Sequence, residues 1–241
     1  MVVVTGHRGC GTNGLGIGEP ENTLRSIRRA IDLGADQIEI DTHLTSDRQV
    51  VVIHDETVDR TTNGTGEVRD YALAELRALD AGFGERVPTL EEVIDTVRGK
   101  AILQVELKGK DVEDSVVQIL KESGMVEEVV LTSFRHSAVK RAKDLESRLR
   151  TGVLFVCSPI NPTSLAHEAK ANNLHPNVEY VDAALVHSAH REGLGVYVWN
   201  ADTEEKAKEM LKLGVDGIGT NRLDIVLPLV HRYAKASNEQ T

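Results

Sequence analysis

Two carboxylates alternate with isoleucines in the stretch QIEID, which contains Glu39 and Asp41. In a β-strand this spacing places both carboxylates on one face. Glu106 and Lys108 have the same spacing in the stretch VELK. Carboxylates brought close together repel one another unless protons or a cation intervene. If the fold joins the two pairs, the sequence therefore predicts a site for a hard divalent cation with oxygen ligands, Mg²⁺ or Ca²⁺.

Residues suited to proton transfer and anion binding follow other apolar stretches. His7 and Arg8 come directly after VVVTG, and His54 follows VVVI. Histidine exchanges protons near neutral pH, and Arg8 and Lys108 supply positive charge for an anionic substrate. Taken singly, a histidine or a Glu–Lys pair more often has a structural role. Their joint position on one surface would favour a functional site.

An alternation of apolar strands and helices must position these side chains. The predicted strands are VVVT, QIEID, LQVEL, VVLTS, TGVLF, NLHPN, VYVWN and DGIGT. Strands that alternate with helices predict a parallel sheet, and eight such units in about 250 residues predict a closed (β/α)₈ TIM barrel. A doubly wound open sheet is the alternative, although no G-x-G-x-x-G motif opens the first helix.

The stretch VVVIHD at 50–55 breaks the alternation, because only eight residues separate it from QIEID. A parallel return requires a crossover of about a dozen residues or more. The spacing therefore predicts a hairpin that turns at Ser46–Arg48 and returns antiparallel. This hairpin would bring His54 to the end of the barrel that carries Asp41.

Active sites of TIM barrels lie at the C-terminal ends of the strands. The polar and aromatic residues predicted at those ends are His7, Arg8, Glu39, Asp41, His54, Asp55, Glu106, Lys108, Ser133, Phe134, His175, Trp199, Asn200 and Asn221. Their common location makes function the better interpretation of the set. Neither Cys10 nor Cys157 lies at such an end, which disfavours Zn²⁺.

Composition restricts the class of protein and its partners. The chain has 241 residues, 40% of them hydrophobic, and a net charge of −10, which disfavours nucleic acid and anionic membrane surfaces as partners. We expect no membrane anchor, because no apolar run approaches membrane-spanning length. Two cysteines and the lack of a signal-peptide pattern predict a cytoplasmic protein. The sequence does not indicate an oligomeric state.

Short motifs along nearly the whole chain resemble those of the glycerophosphodiester phosphodiesterase family, in the family's order. The motifs are GHRG at 6–9, PENT at 20–23, EID at 39–41, HD at 54–55, RTTNGTG at 60–66, PTLEEV at 88–93, ELK at 106–108, VYVWN at 196–200 and GVDGIGTN at 214–221. The resemblance implies a single domain over 1–241. Its TIM barrel would span about 1–233, with a segment of about 43–87 inserted after the second strand.

The resemblance also implies roles for individual residues. The residues that match the family's positions are Glu39, Asp41 and Glu106 as metal ligands, His7 and His54 as the acid–base pair, and Arg8 and Lys108 as phosphate-binding residues. Phe134 and Trp199 complete the predicted substrate site. Asn22, in the ENT motif, either contacts metal or substrate or caps the first helix; Thr23 is the other candidate cap.

The implied reaction is metal-dependent hydrolysis of glycerophosphodiesters, such as glycerophosphocholine and glycerophosphoethanolamine, to glycerol 3-phosphate and an alcohol. Mg²⁺ is the first expectation for the ion, with Ca²⁺ or Mn²⁺ as alternatives. The alternative functions are a lysophospholipase D and a non-catalytic phosphodiester-binding barrel. Aromatic residues make up only 3% of the chain, which favours a soluble substrate over a lipid.

Three features depart from the family's pattern. The glycine-rich loop Gly9–Glu19 is longer than in simple bacterial members, and we expect it to form a lid or a disordered rim. Asn221 and Leu223 stand where many members have Asp and Pro. Those two changes bear on how the last strand closes the barrel.

Overall fold

The computed structural model describes residues 2–12 and 14–238. The strands are β1 (Val3–Gly6), β2 (Gln37–Leu44), β3 (Val50–Val52), β4 (Ile102–Leu107), β5 (Val129–Ser133), β6 (Arg150–Phe155), β7 (Asn173–Pro176), β8 (Gly195–Val198) and β9 (Gly217–Thr220). The helices are α1 (Leu24–Leu33), α2 (Leu73–Leu76), α3 (Leu90–Val97), α4 (Glu113–Glu122), α5 (His136–Leu145), α6 (Pro162–Ala169), α7 (Ala183–Arg191), α8 (Glu204–Leu213) and α9 (Leu223–Asn238).

All of these strands except β3 form a closed parallel barrel with helices outside it. The sheet runs from β1 through β9, β8, β7, β6, β5 and β4 to β2, and β2 pairs with β1 again. Thr5 pairs with Gln37 on one side of β1, and Val4 pairs with Ile218 on the other. The predicted (β/α)₈ TIM barrel is confirmed, and the open doubly wound sheet is excluded.

Alternation along β4 shows how one strand serves both the core and the site. Leu103, Val105 and Leu107 are fully buried in the main apolar core. The intervening residues Gln104 and Glu106 line the cavity inside the barrel. This two-residue period of strand side chains places polar groups inside the barrel and apolar groups against the helices.

Two capping arrangements explain where the helices near the site begin. Thr23 caps α1, because its side chain accepts a hydrogen bond from the backbone N–H of Ser26. Asn22 is therefore not the cap. Helix α3, which follows PT and precedes β4, was not predicted. Its signal was available in the sequence, because Thr89 and Glu92 form a reciprocal capping box at its start.

The hairpin after β2 has the predicted antiparallel arrangement. Thr42 pairs with Val52 across it, and Arg48 closes its turn with a left-handed backbone, φ 61°. The backbone N–H of Ile53 then donates to the carbonyl of Asp41 at 3.0 Å. This bond fixes the neighbouring residue, His54, beside the strand that carries the carboxylates.

The segment between β3 and α3 forms a small apolar core together with Val51 of β3. Its members are Val51, Ile53, Val58, Val68, Leu76, Ala81 and Val87. Because these residues pack together beside the hairpin, the segment forms a structured wall at the C-terminal end of the barrel.

The glycine-rich loop folds back on itself over its described part, and Asn13 lies outside the described residues. The N–H of Gly16 donates to the carbonyl of Thr12, and the N–H of Ile17 to that of Cys10. Ile17 also packs against the main core. Whether the loop acts as a lid stays a prediction.

The last strand closes the barrel despite the two sequence departures. Strand β9 pairs with β1 over Val3–Gly6, and Leu223 is fully buried at the start of α9. The position at which many family members have proline is therefore an apolar one in this chain, and Leu223 fills it. Among the helices described, none is long and apolar enough to cross a membrane.

Candidate active site

A tight turn after β1 places His7 and Arg8 at the end of the barrel. A Cβ atom on Gly6 would lie 2.1 Å from the carbonyl oxygen of Gly9. A Cβ atom on Gly9, whose φ is +91°, would lie 2.2 Å from the Ser26 hydroxyl oxygen. Only glycine fits both positions. The GHRG motif therefore reflects the steric requirements of the turn that carries two candidate site residues.

Three carboxylates meet at this end of the barrel. One oxygen each from Glu39, Asp41 and Glu106 lies within 4.8 Å of the others, and all three residues are buried. Burial and the neighbouring carboxylates raise the pKa of Glu39 well above its usual value and that of Glu106 to about 7. Burial also acts to raise the pKa of Asp41, but Arg8 and other cations outweigh it and the pKa is lowered. The cluster thus carries electrostatic repulsion that a divalent cation would relieve.

Two cationic side chains border the carboxylates. The Nζ of Lys108 lies 3.4 Å from Glu106 Oε1 and 3.9 Å from Asp41 Oδ1. The Nε of Arg8 lies 3.4 Å from Asp41 Oδ2, and its backbone N–H donates to Glu39 Oε2 at 2.9 Å. Arg8 and Lys108 both line the cavity, so an anion there would meet two positive charges.

Asn22 contacts a carboxylate of the cluster. Its Nδ2 donates to Asp41 Oδ2 at 2.9 Å, and its Oδ1 accepts from the backbone N–H of Asp41 at 3.3 Å. This double contact orients the Asp41 carboxylate. The structure thus gives Asn22 a place beside the predicted metal ligands, while Thr23 caps the helix.

His54 is held by a charged neighbour. Its Nδ1 lies 2.5 Å from Asp55 Oδ1, and Arg60 Nε donates to Asp55 Oδ2 at 2.7 Å. The Arg60 guanidinium holds the pKa of Asp55 well below its usual range, so Asp55 is ionised. Burial lowers the pKa of His54, and the charge of Asp41 acts against that shift.

A buried carboxylate connects this pair to the other side of the site. Arg60 donates to both oxygens of Glu21, at 2.9 Å and 2.8 Å. Arg8 Nη1 also donates to Glu21 Oε1 at 2.8 Å, and the Glu21 side chain is only 1% exposed. A continuous network thus runs from His54 through Asp55, Arg60 and Glu21 to Arg8.

His7 is held by a neutral neighbour. Its Nδ1 lies 2.8 Å from the side-chain oxygen of Asn221. The amide nitrogen of Asn221 in turn donates to Asp202 Oδ2 at 2.7 Å. Burial, and secondarily the charge of Arg8, lowers the pKa of His7 to about 4. The imidazole of His7 is therefore neutral at neutral pH.

One cavity of about 230 Å³ brings the predicted residues together. The predicted residues that line it are His7, Arg8, Glu39, His54, Glu106, Lys108, Phe134 and Trp199. The rings of Phe134 and Trp199 meet edge to face, with centroids 5.5 Å apart. Asp41 and Asn22 complete the predicted set just beside the cavity, through the contacts with Arg8 and Asp41 described above.

Several residues that support this set were given no role by the sequence. Asp55 was predicted at a strand end without a role, and Glu21 and Arg60 stand in the motifs PENT and RTTNGTG, so the motifs contained a signal for them. Asp202 lies outside every motif. Its contact with Asn221 joins the loop after β8 to the end of β9, and strand spacing gives no indication of such a contact.

Comparisons with known proteins agree with this fold and site. The pattern of the Glycerophosphoryl diester phosphodiesterase family matches residues 7–225. The glycerophosphodiester phosphodiesterase of Caldanaerobacter subterraneus subsp. tengcongensis is 37% identical over 95% of this chain and 98% of its own. That of Bacillus altitudinis is 32% identical over 92% of this chain and 95% of its own.

A solved structure adds a bound molecule to the comparison. It is a phosphodiesterase of Oleispira antarctica in complex with the product sn-glycerol-3-phosphate, with 26% identity and a TM-score of 0.86. The similarity covers 95% of this chain and 96% of that one. The family match spans the barrel from the GHRG turn into α9. The chain therefore belongs to the glycerophosphoryl diester phosphodiesterase family.

Proposed function

We propose that this chain hydrolyses glycerophosphodiesters, such as glycerophosphocholine and glycerophosphoethanolamine, to glycerol 3-phosphate and an alcohol. The observation that carries the proposal is the presence of clustered carboxylates, two cationic side chains and two histidines at one cavity. The Oleispira antarctica phosphodiesterase supports it, because that similar barrel holds sn-glycerol-3-phosphate as its product.

Glu39, Asp41 and Glu106 would hold one divalent cation, with Mg²⁺ as the first expectation and Ca²⁺ or Mn²⁺ as alternatives. Their ligand set fits such an ion, because it offers only oxygen atoms from buried carboxylates that repel one another. A bound cation would supply charge neutralisation and would lower the pKa of a coordinated hydroxyl. Asn22 would keep Asp41 in the orientation that ligation requires.

The remaining roles follow from the chemistry of the side chains. Arg8 and Lys108 would hold the phosphate and stabilise the charge that grows on it. Phe134 and Trp199 would form the wall against the carbon skeleton of the glycerol. His7 and His54 would exchange the protons.

The reaction would proceed through a cyclic phosphate. The 2-hydroxyl of the glycerol attacks phosphorus and passes its proton to one histidine, while the other histidine donates a proton to the departing alcohol oxygen. Water then opens the cyclic phosphate with the two proton transfers reversed. Each histidine thus returns to its starting state after one turnover.

A comparison of two choline-containing substrates tests the proposal. Glycerophosphocholine and a lysophosphatidylcholine should be offered at equal concentration with Mg²⁺, and the release of choline followed. We expect faster release from glycerophosphocholine, together with glycerol 3-phosphate. Faster release from the lysolipid would assign the chain as a lysophospholipase D. Binding of both without choline release would contradict an enzymatic function.

We also propose that the chain acts as a single domain over 1–241, with a barrel of about 1–233 and an inserted segment of about 43–87. The support is the small separate apolar core of that segment. A cytoplasmic location is proposed from the cysteines, since Cys10 and Cys157 are both free thiols.

A further inference from the structure

We propose that Asp202 and Asn221 are positioning residues that hold His7 in the tautomer with its proton on Nδ1. In this tautomer Nε2 is the unprotonated nitrogen of the ring and acts as the proton acceptor at the cavity. The consequence for catalysis rests on the proposed function, whereas the tautomer itself does not.

Asp202 fixes the orientation of the Asn221 amide. Asp202 Oδ2 accepts a hydrogen bond from Asn221 Nδ2 at 2.7 Å, and Asp202 Oδ1 accepts one from the Asn221 backbone N–H at 2.7 Å. An ionised carboxylate only accepts hydrogen bonds, so the amino group of Asn221 must face Asp202. On the opposite side, the backbone N–H of Thr12 donates to Asn221 Oδ1 at 3.2 Å.

The fixed amide determines which ring nitrogen of His7 carries the proton. Asn221 Oδ1 is an acceptor and lies 2.8 Å from His7 Nδ1, so Nδ1 must donate. A neutral imidazole has a single N–H, and Nε2 is then an acceptor. Within the described residues Nε2 makes no hydrogen bond, and His7 lines the cavity. Nε2 is thus available to a substrate hydroxyl.

The proposed tautomer requires the opposite orientation of the Asn200 amide. Its Nδ2 faces His7 Nδ1 at 3.2 Å, while its Oδ1 is buried without a hydrogen-bond partner. Two donors would oppose each other if Nδ1 is protonated. Rotation of the Asn200 amide by 180° exchanges its oxygen and nitrogen. The buried oxygen then becomes a second acceptor for the Nδ1 proton.

Exchange of the two positioning residues provides the test. In wild type, the Asp202 carboxylate accepts hydrogen bonds from two N–H groups of residue 221. The amide introduced by Asp202→Asn has only one acceptor oxygen, so the Asn221 amide loses its unique orientation. In the double variant Asp202→Asn/Asn221→Asp, the new amide nitrogen can donate to the new carboxylate. That carboxylate then accepts a hydrogen bond from His7 Nδ1–H, so an acceptor faces Nδ1 again, although it is now charged and the donor and acceptor between residues 202 and 221 are exchanged.

The single and the double variant should differ in kcat. We expect Asp202→Asn to lower kcat about tenfold or more with KM nearly unchanged, since positioned acid–base groups contribute about 10²-fold or more in total. The double variant should recover to within about threefold of wild type. The matched control is Asp216→Asn, because Asp216 also contacts a histidine, His190, but at the other end of β9; its kcat should match wild type. Equal loss in the single and double variants, or wild-type kcat in Asp202→Asn, would overturn the proposal.

A spectroscopic readout does not depend on turnover. Two-bond ¹H–¹⁵N correlations of ¹⁵N-histidine-labelled wild-type protein distinguish the two neutral tautomers, and His7→Gln identifies the signal. We expect the Nδ1–H form for His7, and an Nε2–H form would refute the proposal. A wild-type chain that shows the Nδ1–H form but cleaves no glycerophosphodiester would instead refute the proposed function.

Discussion

The two candidate catalytic histidines contact hydrogen-bond partners of different charge. His7 faces the neutral amide of Asn221, whereas His54 faces the ionised carboxylate of Asp55. A neutral acceptor directs an imidazole without favouring an added proton, but a carboxylate stabilises the protonated ring. We infer that the first proton transfer is to His7 and that His54 supplies the proton to the leaving group, with Asp41 and Asp55 acting against the burial that lowers the pKa of His54.

The two supports also differ in what else they contact. The support of His7 runs through Asn221, just after β9, to Asp202 in the loop after β8, and Thr12 also donates to Asn221. The support of His54 continues through Arg60 and the buried Glu21 to Arg8, beside the carboxylate cluster. Damage to the second support should therefore affect both proton transfer and phosphate binding, whereas damage to the first should affect proton transfer alone.

The largest effect on kcat is expected when either histidine is removed. His7→Ala and His54→Ala should each lower kcat by about 10²-fold or more, because each loses an acid–base group. The measurement is the rate of choline release from glycerophosphocholine, with circular dichroism to confirm the fold. His190→Ala is the control, since His190 pairs with Asp216 on the surface. Retention of more than about a tenth of the wild-type rate would contradict the assignment.

A smaller effect is expected when only the charge beside His54 is removed. Asp55→Asn keeps an acceptor for the imidazole but loses the carboxylate that stabilises its protonated form. We expect kcat to fall about tenfold. Asp144→Asn is the matched control, because Asp144 pairs with Lys140 and Lys170 at an exposed site. If Asp55→Asn is as active as that control, the charged support of His54 has no role in turnover.

The smallest effect is expected further along the network. Arg60→Met removes the two hydrogen bonds from Arg60 to Glu21 and the cation beside Asp55. We expect a fall in kcat of a few-fold, a higher KM, and a loss of about 1 kcal/mol in the free energy of unfolding. Urea denaturation and steady-state kinetics measure both quantities. Arg69→Met, in an exposed pair with Glu67, should change neither.

Local patterns in the sequence predicted much of this site. Strand alternation placed Glu39 and Asp41 together, because residues two positions apart in a strand have their side chains on the same face. The short distance between QIEID and VVVIHD predicted the hairpin that returns His54, since too few residues were available for a crossover. Thr89 and Glu92 are a further local signal, because their spacing is that of a capping box at the start of α3.

What the sequence did not predict depends on contacts between distant segments. Asp202 contacts Asn221, which in turn contacts His7, and the loop after β8 approaches the end of β9 only once the barrel has closed. A contact outside the helix likewise explains why Thr23, and not Asn22, caps α1. Asn22 contacts Asp41 instead, 19 positions along the chain.

The carboxylate cluster is central to the proposed chemistry, and removal of metal tests whether it binds an ion that turnover requires. Glycerol 3-phosphate release from glycerophosphocholine should be measured after exhaustive chelation, and again after addition of Mg²⁺, Mn²⁺ or Ca²⁺. We predict that chelation abolishes turnover and that at least one of these ions restores it, because Glu39, Asp41 and Glu106 repel one another without a cation. Full activity after exhaustive chelation would contradict the proposed metal site.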